Sequence, residues 1–242
     1  MEYARYERQI GLPEVGRKGQ KRLFASKVLV IGAGGLGSPI LYYLVAAGVG
    51  TVGIVDGDEV SVSNLNRQIL HWTEDLGRLK TDSASEKLRR FNASSDIRTH
   101  NLNLDDDNAE GIISGYDLVL AAVDRQETRR VINRACFKLK IPWINGGVDR
   151  FSGMVTSYCP PEGPCYECLA AGMPIDAGPS PQLLGSLAGT IGLLQTQEAL
   201  KFILKIGTPL VGRILFYDAL LPSFDIINLP ANPACPVCGS AR

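Results

Sequence analysis

Histidine is almost absent from this 242-residue chain, which holds only His71 and His100. Neither falls in a spacing that makes a metal site or a nucleophile triad, so Ser-His-Asp chemistry has no support. An excess of either charge is also missing, since basic and acidic residues number 25 each. A balanced chain presents no strong field to nucleic acid or an anionic membrane, and any charged substrate must be gripped by a few local groups. Long hydrophobic runs are lacking too. The two longest weakly charged stretches, 39–55 and 183–197, are broken by glycine or glutamine and fall short of the roughly 18 to 20 apolar residues that span a bilayer. The opening MEYARYERQ has no apolar secretory core, so the expected compartment is the cytoplasm. No repeat or low-complexity segment is visible.

What is present alternates. Strand patterns at 28–32, 51–56, 96–104, 117–124 and 141–148 are interleaved with helical spacing at 39–47, 80–91 and 129–139. Such an order predicts an α/β fold with a Rossmann-like, doubly wound, mostly parallel sheet. Beyond residue 150 the pattern changes: 151–161 looks like a strand leaving the parallel core, 185–206 like one long helix without a charge until Glu198, and 213–229 like two short added strands. A helix so poor in charge is either central or packed against a second subunit. One large domain is expected.

The first strand, VLVIG, runs into GAGGLGS, which carries G-x-G-x-x-G as Gly32, Gly34 and Gly37, with Gly35 between them. Glycines at this spacing turn a strand into a helix and let backbone amides approach a phosphate. Asp56 ends the second strand about 20 residues further on, where a carboxylate accepts hydrogen bonds from ribose hydroxyls. These features suit an adenosine ligand and do not separate NAD from ATP. Asn64 and Arg67 in VSVSNLNRQ, Lys80 at the start of a helix and Asp124 at the end of a strand tip the balance. Two cations offset phosphate charge and one carboxylate holds magnesium, whereas hydride transfer needs neither. Taken singly, Arg67 also reads as a solvated loop residue, Asp124 as a helix cap, and Arg5 and Arg8 as solvated.

C-Y-E-C at 165–168 and C-P-V-C at 235–238 are two C-x-x-C pairs. Together Cys165, Cys168, Cys235 and Cys238 are read as a closed four-thiolate zinc site, which would staple the C-terminal residues to the segment after residue 160, with redox dithiols and unrelated core cysteines as the other readings. Cys136 and Cys159 read as buried hydrophobes.

RYERQ, GAGGLGS, DGDEVSVSNLNRQ, Lys80, the strand ending in Asp124, the paired C-x-x-C motifs and GSLAGTIGLLQTQEALK together resemble the MoeB/ThiF/HesA family of ubiquitin-activating-type adenylyltransferases. The resemblance spans nearly the whole chain and lies nearest the MoeB-like branch. It implies ATP, Mg²⁺ and Zn²⁺, with Asp58 joining the nucleotide site. The implied reaction is adenylylation of the C-terminal glycine carboxylate of a small MoaD/ThiS-type sulfur carrier ending in Gly-Gly. It further implies a homodimer in which Arg8 acts in the neighbouring subunit's site. The implied division is an N-terminal helical segment over 1–27, a nucleotide-binding core over 28–150, and a zinc-stapled carrier-binding and dimer part over 151–242. The segment 169–184 contains no cysteine, so catalysis is expected to stop at the acyl-adenylate, with sulfur delivered by a separate desulfurase or rhodanese and none fused after Arg242. Arg125 departs from the small or amide residue usual after the acid. The alternatives are an NAD-dependent oxidoreductase and a nucleotide-binding scaffold without catalysis.

Overall fold

The structure, a computed structural model, describes residues 3–170 and 182–239. The segment 169–184 therefore lies largely outside the described residues. Among those described, eight strands form one sheet in the order β3-β2-β1-β4-β5-β6-β7-β8. β1 (Lys27–Ile31), β2 (Thr51–Val55), β3 (Asp96–His100), β4 (Leu118–Ala121) and β5 (Trp143–Asp149) run parallel. β6 (Ser152–Tyr158), β7 (Arg213–Asp218) and β8 (Ser223–Asn228) then continue the sheet antiparallel. The doubly wound core with added C-terminal strands is the architecture the element order predicts.

The central strands are apolar without alternation because helices cover both of their faces. On one side α3 (Gly37–Ala47), α4 (Lys80–Phe91) and α8 (Gly185–Leu204) join Val28, Val30, Val52 and Ile54 in a single core. On the other, α5 (Ala109–Ile113), α6 (Gln126–Leu139) and α7 (Tyr166–Ala170) pack against Leu29, Ile31, Val119 and Trp143. α1 (Glu7–Ile10) and α2 (Gly16–Ala25) precede β1. α3 begins with Pro39 in its first turn, where the missing N–H costs nothing, and stops at Gly48, whose φ of +84° suits the left-handed cap. The uncharged helix proves central: α8 buries Leu187, Ile191 and Ala199 in the core, and a Cβ on its Gly192 would stand 2.5 Å from the Leu36 carbonyl oxygen.

Two sequence expectations are corrected. The strand expected over 96–104 ends at His100, where its neighbour β2 also ends at Val55 and the Leu102 amide turns back to the His100 carbonyl at 3.0 Å. Cys136 is buried as expected, and burial pushes its thiol up, but Cys159 lies just past β6 and is only half-buried.

One close approach locks the sheet's edge. A Cβ on Gly53 in β2 would lie 2.3 Å from the Tyr116 hydroxyl, which also meets His100 Nε2 at 3.0 Å. Gly53→Ala is expected to cost about 1–3 kcal/mol through overpacking, and combining it with Tyr116→Ala should recover much of that methyl's cost. Denaturant unfolding checks this, and a Gly53→Ala protein as stable as the parent would overturn it.

Candidate functional site

Ile31 pairs with both Val55 and Ala121, so Gly32, Asp56 and Ala122 leave the sheet side by side at its carboxyl end. Ligands of open α/β sheets bind there. Gly32 has φ +99°, and a Cβ on it would stand 2.4 Å from the Ala122 carbonyl oxygen. A Cβ on Gly37 would stand 2.0 Å from the Gly32 oxygen. These two glycines serve packing: they let β1, the exit of β4 and the start of α3 touch backbone to backbone. Gly34 and Gly35 face looser surroundings, with the Gln68 amide 3.5 Å and the Ala188 methyl 3.1 Å from the places a Cβ would take. Among the described residues neither spends its amide N–H on another group.

Asp56 grips the turn. Its Oδ2 accepts from the Ala33 amide at 2.8 Å and its Oδ1 from the Asp58 amide at 2.9 Å. The buried Lys80 ammonium donates to Asp58 Oδ2 at 2.7 Å and lies 3.9 Å from Asp56 Oδ1. Asp56, Asp58 and Lys80 thus form one charged cluster at the end of β2. Arg67 joins from the other side: its stem lies 3.4 Å from where a Gly35 Cβ would be, and its Nη1 donates to the Ser63 carbonyl at 2.7 Å. Asn64 caps the short turn Val62–Asn64, its Oδ1 accepting from the Ser61 amide at 3.1 Å. The start of α8 closes over this loop, since a Cβ on Gly185 would stand 2.4 Å from the Asn66 carbonyl oxygen.

Asp124 is exposed in the short loop between β4 and α6. The N-cap position of α6 belongs to Arg125, whose side chain makes no cap hydrogen bond. Arg8 stands apart, exposed on α1 and in no ion pair among the described residues. Its neighbours anchor that helix: Gln9 Nε2 donates to the Ala47 carbonyl at 2.9 Å, and the buried Tyr6 hydroxyl accepts from Asn92 at 2.9 Å.

A second polar layer behind the turn escaped the sequence reading. His71 is buried, with Nε2 2.8 Å from the Ala33 carbonyl oxygen and Nδ1 2.8 Å from the Ser83 hydroxyl. Lys87 donates to Ser83 Oγ at 2.8 Å and pairs with the buried Asp75. Asp75 also accepts from the Trp72 amide at 2.7 Å and from Arg78 at 2.9 Å. Burial favours its neutral acid, yet Lys87 and the Trp72 amide outweigh that and hold the carboxyl below its ordinary value. The available signal was in α4, whose inward stripe carries Lys80, Thr81, Ser83 and Lys87 where a helix of the core would carry apolar residues.

The four cysteines converge although far apart in sequence. Their sulfurs all lie within 4.8 Å of one another, with Cys165 to Cys235 at 3.6 Å and Cys168 to Cys238 at 3.4 Å. Sulfurs around a tetrahedral zinc stand about 3.8 Å apart, so the quartet is compatible with that ion. Burial pushes the Cys165 thiol up. Burial also works against ionisation of Cys235, but the backbone amides of Cys238 and Val237 and the adjoining thiols bring it down. Among the described residues no helix is long and apolar enough to cross a membrane.

The chain is similar to known proteins over nearly its whole length. The sequence model of the ThiF family matches residues 6–237. The chain is 44% identical to the sulfur carrier protein adenylyltransferase of Thermus thermophilus, covering 98% of this chain and 91% of that one. It is 41% identical to the SAMP-activating enzyme E1 of Haloferax volcanii, covering 97% and 88%. A crystal structure of E. coli MccB with ATP superposes with a TM-score of 0.84 at 24% identity, over 98% of this chain and 74% of that one, which is a likeness of fold.

The Asp75–Lys87 pair makes a stability prediction with a definite sign. A carboxyl held below its ordinary value adds stability in full above about pH 4, and loses it as pH falls through the folded-state value. Asp75→Asn leaves Lys87 buried and unpaired, so it is expected to destabilise by about 3–5 kcal/mol at pH 7 and to flatten the acid limb of the stability curve. Unfolding measured from pH 7 to 3 checks both; an unchanged acid limb would overturn the assignment.

Proposed function

The chain belongs to the ThiF family, and we propose that it is an ATP-dependent adenylyltransferase that activates the C-terminal glycine carboxylate of a small ubiquitin-like sulfur carrier ending in Gly-Gly. What carries the reading is the meeting of the unspent Gly34 and Gly35 amides with Lys80 and Arg67 around one turn. A seat for a reused redox cofactor has no need of two such cations beside the phosphate turn.

The reaction brings two anions together. A carboxylate oxygen of the carrier forms a bond to the α-phosphorus of ATP, the bond from that phosphorus to the bridging oxygen breaks, and pyrophosphate leaves with the electron pair. No side-chain nucleophile takes part, so positioning and charge neutralisation supply the catalysis. Gly32, Gly34, Gly35 and Gly37 shape the phosphate turn, Asp56 holds the ribose, and Asp58 with Asn64 orders the flanking loop. Lys80 and Arg67 offset phosphate charge. Asp124 would hold Mg²⁺, which supplies further positive charge against the phosphates when bound. Arg8, exposed and without an ion pair among the described residues, reaches the neighbouring subunit's site in a homodimer. Cys165, Cys168, Cys235 and Cys238 would hold Zn²⁺ and tie the C-terminal residues to α7. We propose the same division of the chain as the family resemblance implies: 1–27 as N-terminal helices, 28–150 as the nucleotide core, and 151–242 as the carrier and dimer part. The enzyme acts in the cytoplasm, and a separate desulfurase or rhodanese delivers sulfur to the acyl-adenylate.

Arg67→Ala and Asp124→Ala are expected to leave a folded protein with carrier-dependent ATP–pyrophosphate exchange lowered at least a hundredfold, roughly the effect of losing one transition-state contact. Normal exchange in either variant would remove that residue from the site. ATP with Mg²⁺ should raise the Tm and NAD should not; the reverse result would return the chain to the oxidoreductases. Elemental analysis should find one zinc per chain, and Cys235→Ser should lose the ion and melt several degrees lower.

A further inference from the structure

The amide and carbonyl of Ala33, in the middle of the glycine turn, are both held by side chains. Asp56 Oδ2 accepts from its N–H at 2.8 Å, and His71 Nε2 meets its carbonyl oxygen at 2.8 Å. A carbonyl only accepts, so Nε2 carries the proton. In a neutral ring Nδ1 is then the acceptor, and the Ser83 hydroxyl 2.8 Å away is the donor that meets it. Ser83 Oγ in turn accepts from Lys87, which Asp75 holds in place. The hydrogen bonds therefore run one way, from Lys87 through Ser83 and His71 to the Ala33 carbonyl. Desolvation lowers the affinity of His71 for a second proton; Lys87 and Lys80 add to this, while the Ala33 carbonyl and Asp75 oppose it. The ring is accordingly neutral at pH 7.

The consequence lies in the peptide plane. Across a trans peptide the C=O and the following N–H point in opposite directions. Fixing the Ala33 carbonyl onto His71 thus aims the Gly34 N–H away from the protein interior, and that amide has no partner among the described residues. We propose that His71 and Ser83 are positioning residues of the nucleotide site: their relay from the Lys87–Asp75 pair sets the Ala33–Gly34 peptide so that the Gly34 amide meets a nucleotide phosphate. Ser83 fixes the imidazole tautomer, and His71 fixes the peptide. Neither touches the nucleotide. The role rests on the ATP reading above, and its test separates the two.

The decisive measurements use the full-length protein with a Gly-Gly carrier. His71→Leu should raise the KM for ATP roughly tenfold, the factor of one lost buried hydrogen bond, with a smaller change in kcat and none in the KM for the carrier. His71→Gln, whose amide reaches as far as Nε2 and donates as it does, should restore most of the ATP affinity. Ser83→Ala should weaken ATP by a smaller factor, and the double variant His71→Leu with Ser83→Ala should be no worse than His71→Leu alone, because both act through one relay. Nitrogen-15 NMR of wild-type protein without nucleotide should find His71 neutral and protonated on Nε2. An Nδ1-protonated ring overturns the relay whatever the reaction proves to be. An unaltered KM for ATP in a folded His71→Leu protein, or equal losses in kcat and both KM values, overturns the positioning role alone. Failure of the wild type to bind ATP at all overturns the functional reading and this role with it, while leaving the NMR result intact. If His71→Leu does not fold, His71→Gln and Ser83→Ala decide the matter by the same KM split.

Discussion

The rest of this structure depends on a backbone contact with no room for a side chain. A Cβ on Gly32 would lie 2.4 Å from the Ala122 carbonyl, and one on Gly37 would lie 2.0 Å from the Gly32 carbonyl, distances that no real Cβ adopts. Where β1 turns into α3, three elements meet through their main chains. That meeting fixes the exit of β1 beside those of β2 and β4. Asp56 and the loop carrying Asp124 leave the sheet at this level, so the charged groups of the site inherit their places from a steric condition.

Around that junction the polar groups are arranged in depth. Asp56, Asp58 and Lys80 form the cluster nearest the turn. Behind it stand His71, Ser83, Lys87 and Asp75, all buried and all hydrogen-bonded. A buried ion pair adds little net stability over an apolar replacement of the same shape. Here it spends its donors on Ser83 and, through it, on the ring that holds Ala33. The cost of burying charge is thereby tied to the geometry of a functional loop. α8 contributes from the opposite side: its small residues Gly185, Ala188 and Gly192 let it lie against the Arg67 loop, Gly35 and Leu36, which explains a long helix almost free of charge.

Much of the fold was legible in the sequence. Unbroken apolar strands interleaved with amphipathic helices lead to a parallel sheet covered on both faces, and the change of pattern after residue 150 marks added strands, whose antiparallel direction only the structure gives. The strand over 96–104 was misjudged by length, because alternation continues past His100 while the neighbouring strand β2 ends at Val55. Cys159 was misjudged by burial, since apolar character gives no depth for a residue just past a strand end. His71 was set aside because the two histidines fall in no metal or nucleophile spacing, and the polar face of α4 that meets it is assembled only by the fold.

The amino-acid sequence by itself determined the local matters: which glycines make the phosphate turn, which strands are buried, which side chains carry phosphate-compatible charge, and that two C-x-x-C pairs offer four thiols. Each follows from the chemistry of a residue and its immediate neighbours. Only the tertiary structure decided which distant groups meet. It brought Cys165 within 3.6 Å of Cys235, set the buried Lys80 against Asp58, and joined Lys87 to the Ala33 carbonyl through Ser83 and His71. Those contacts arise from the register of parallel strands and the packing of α4 and α8 on them. No spacing along the chain encodes such distances, because they are sums over every element that lies between.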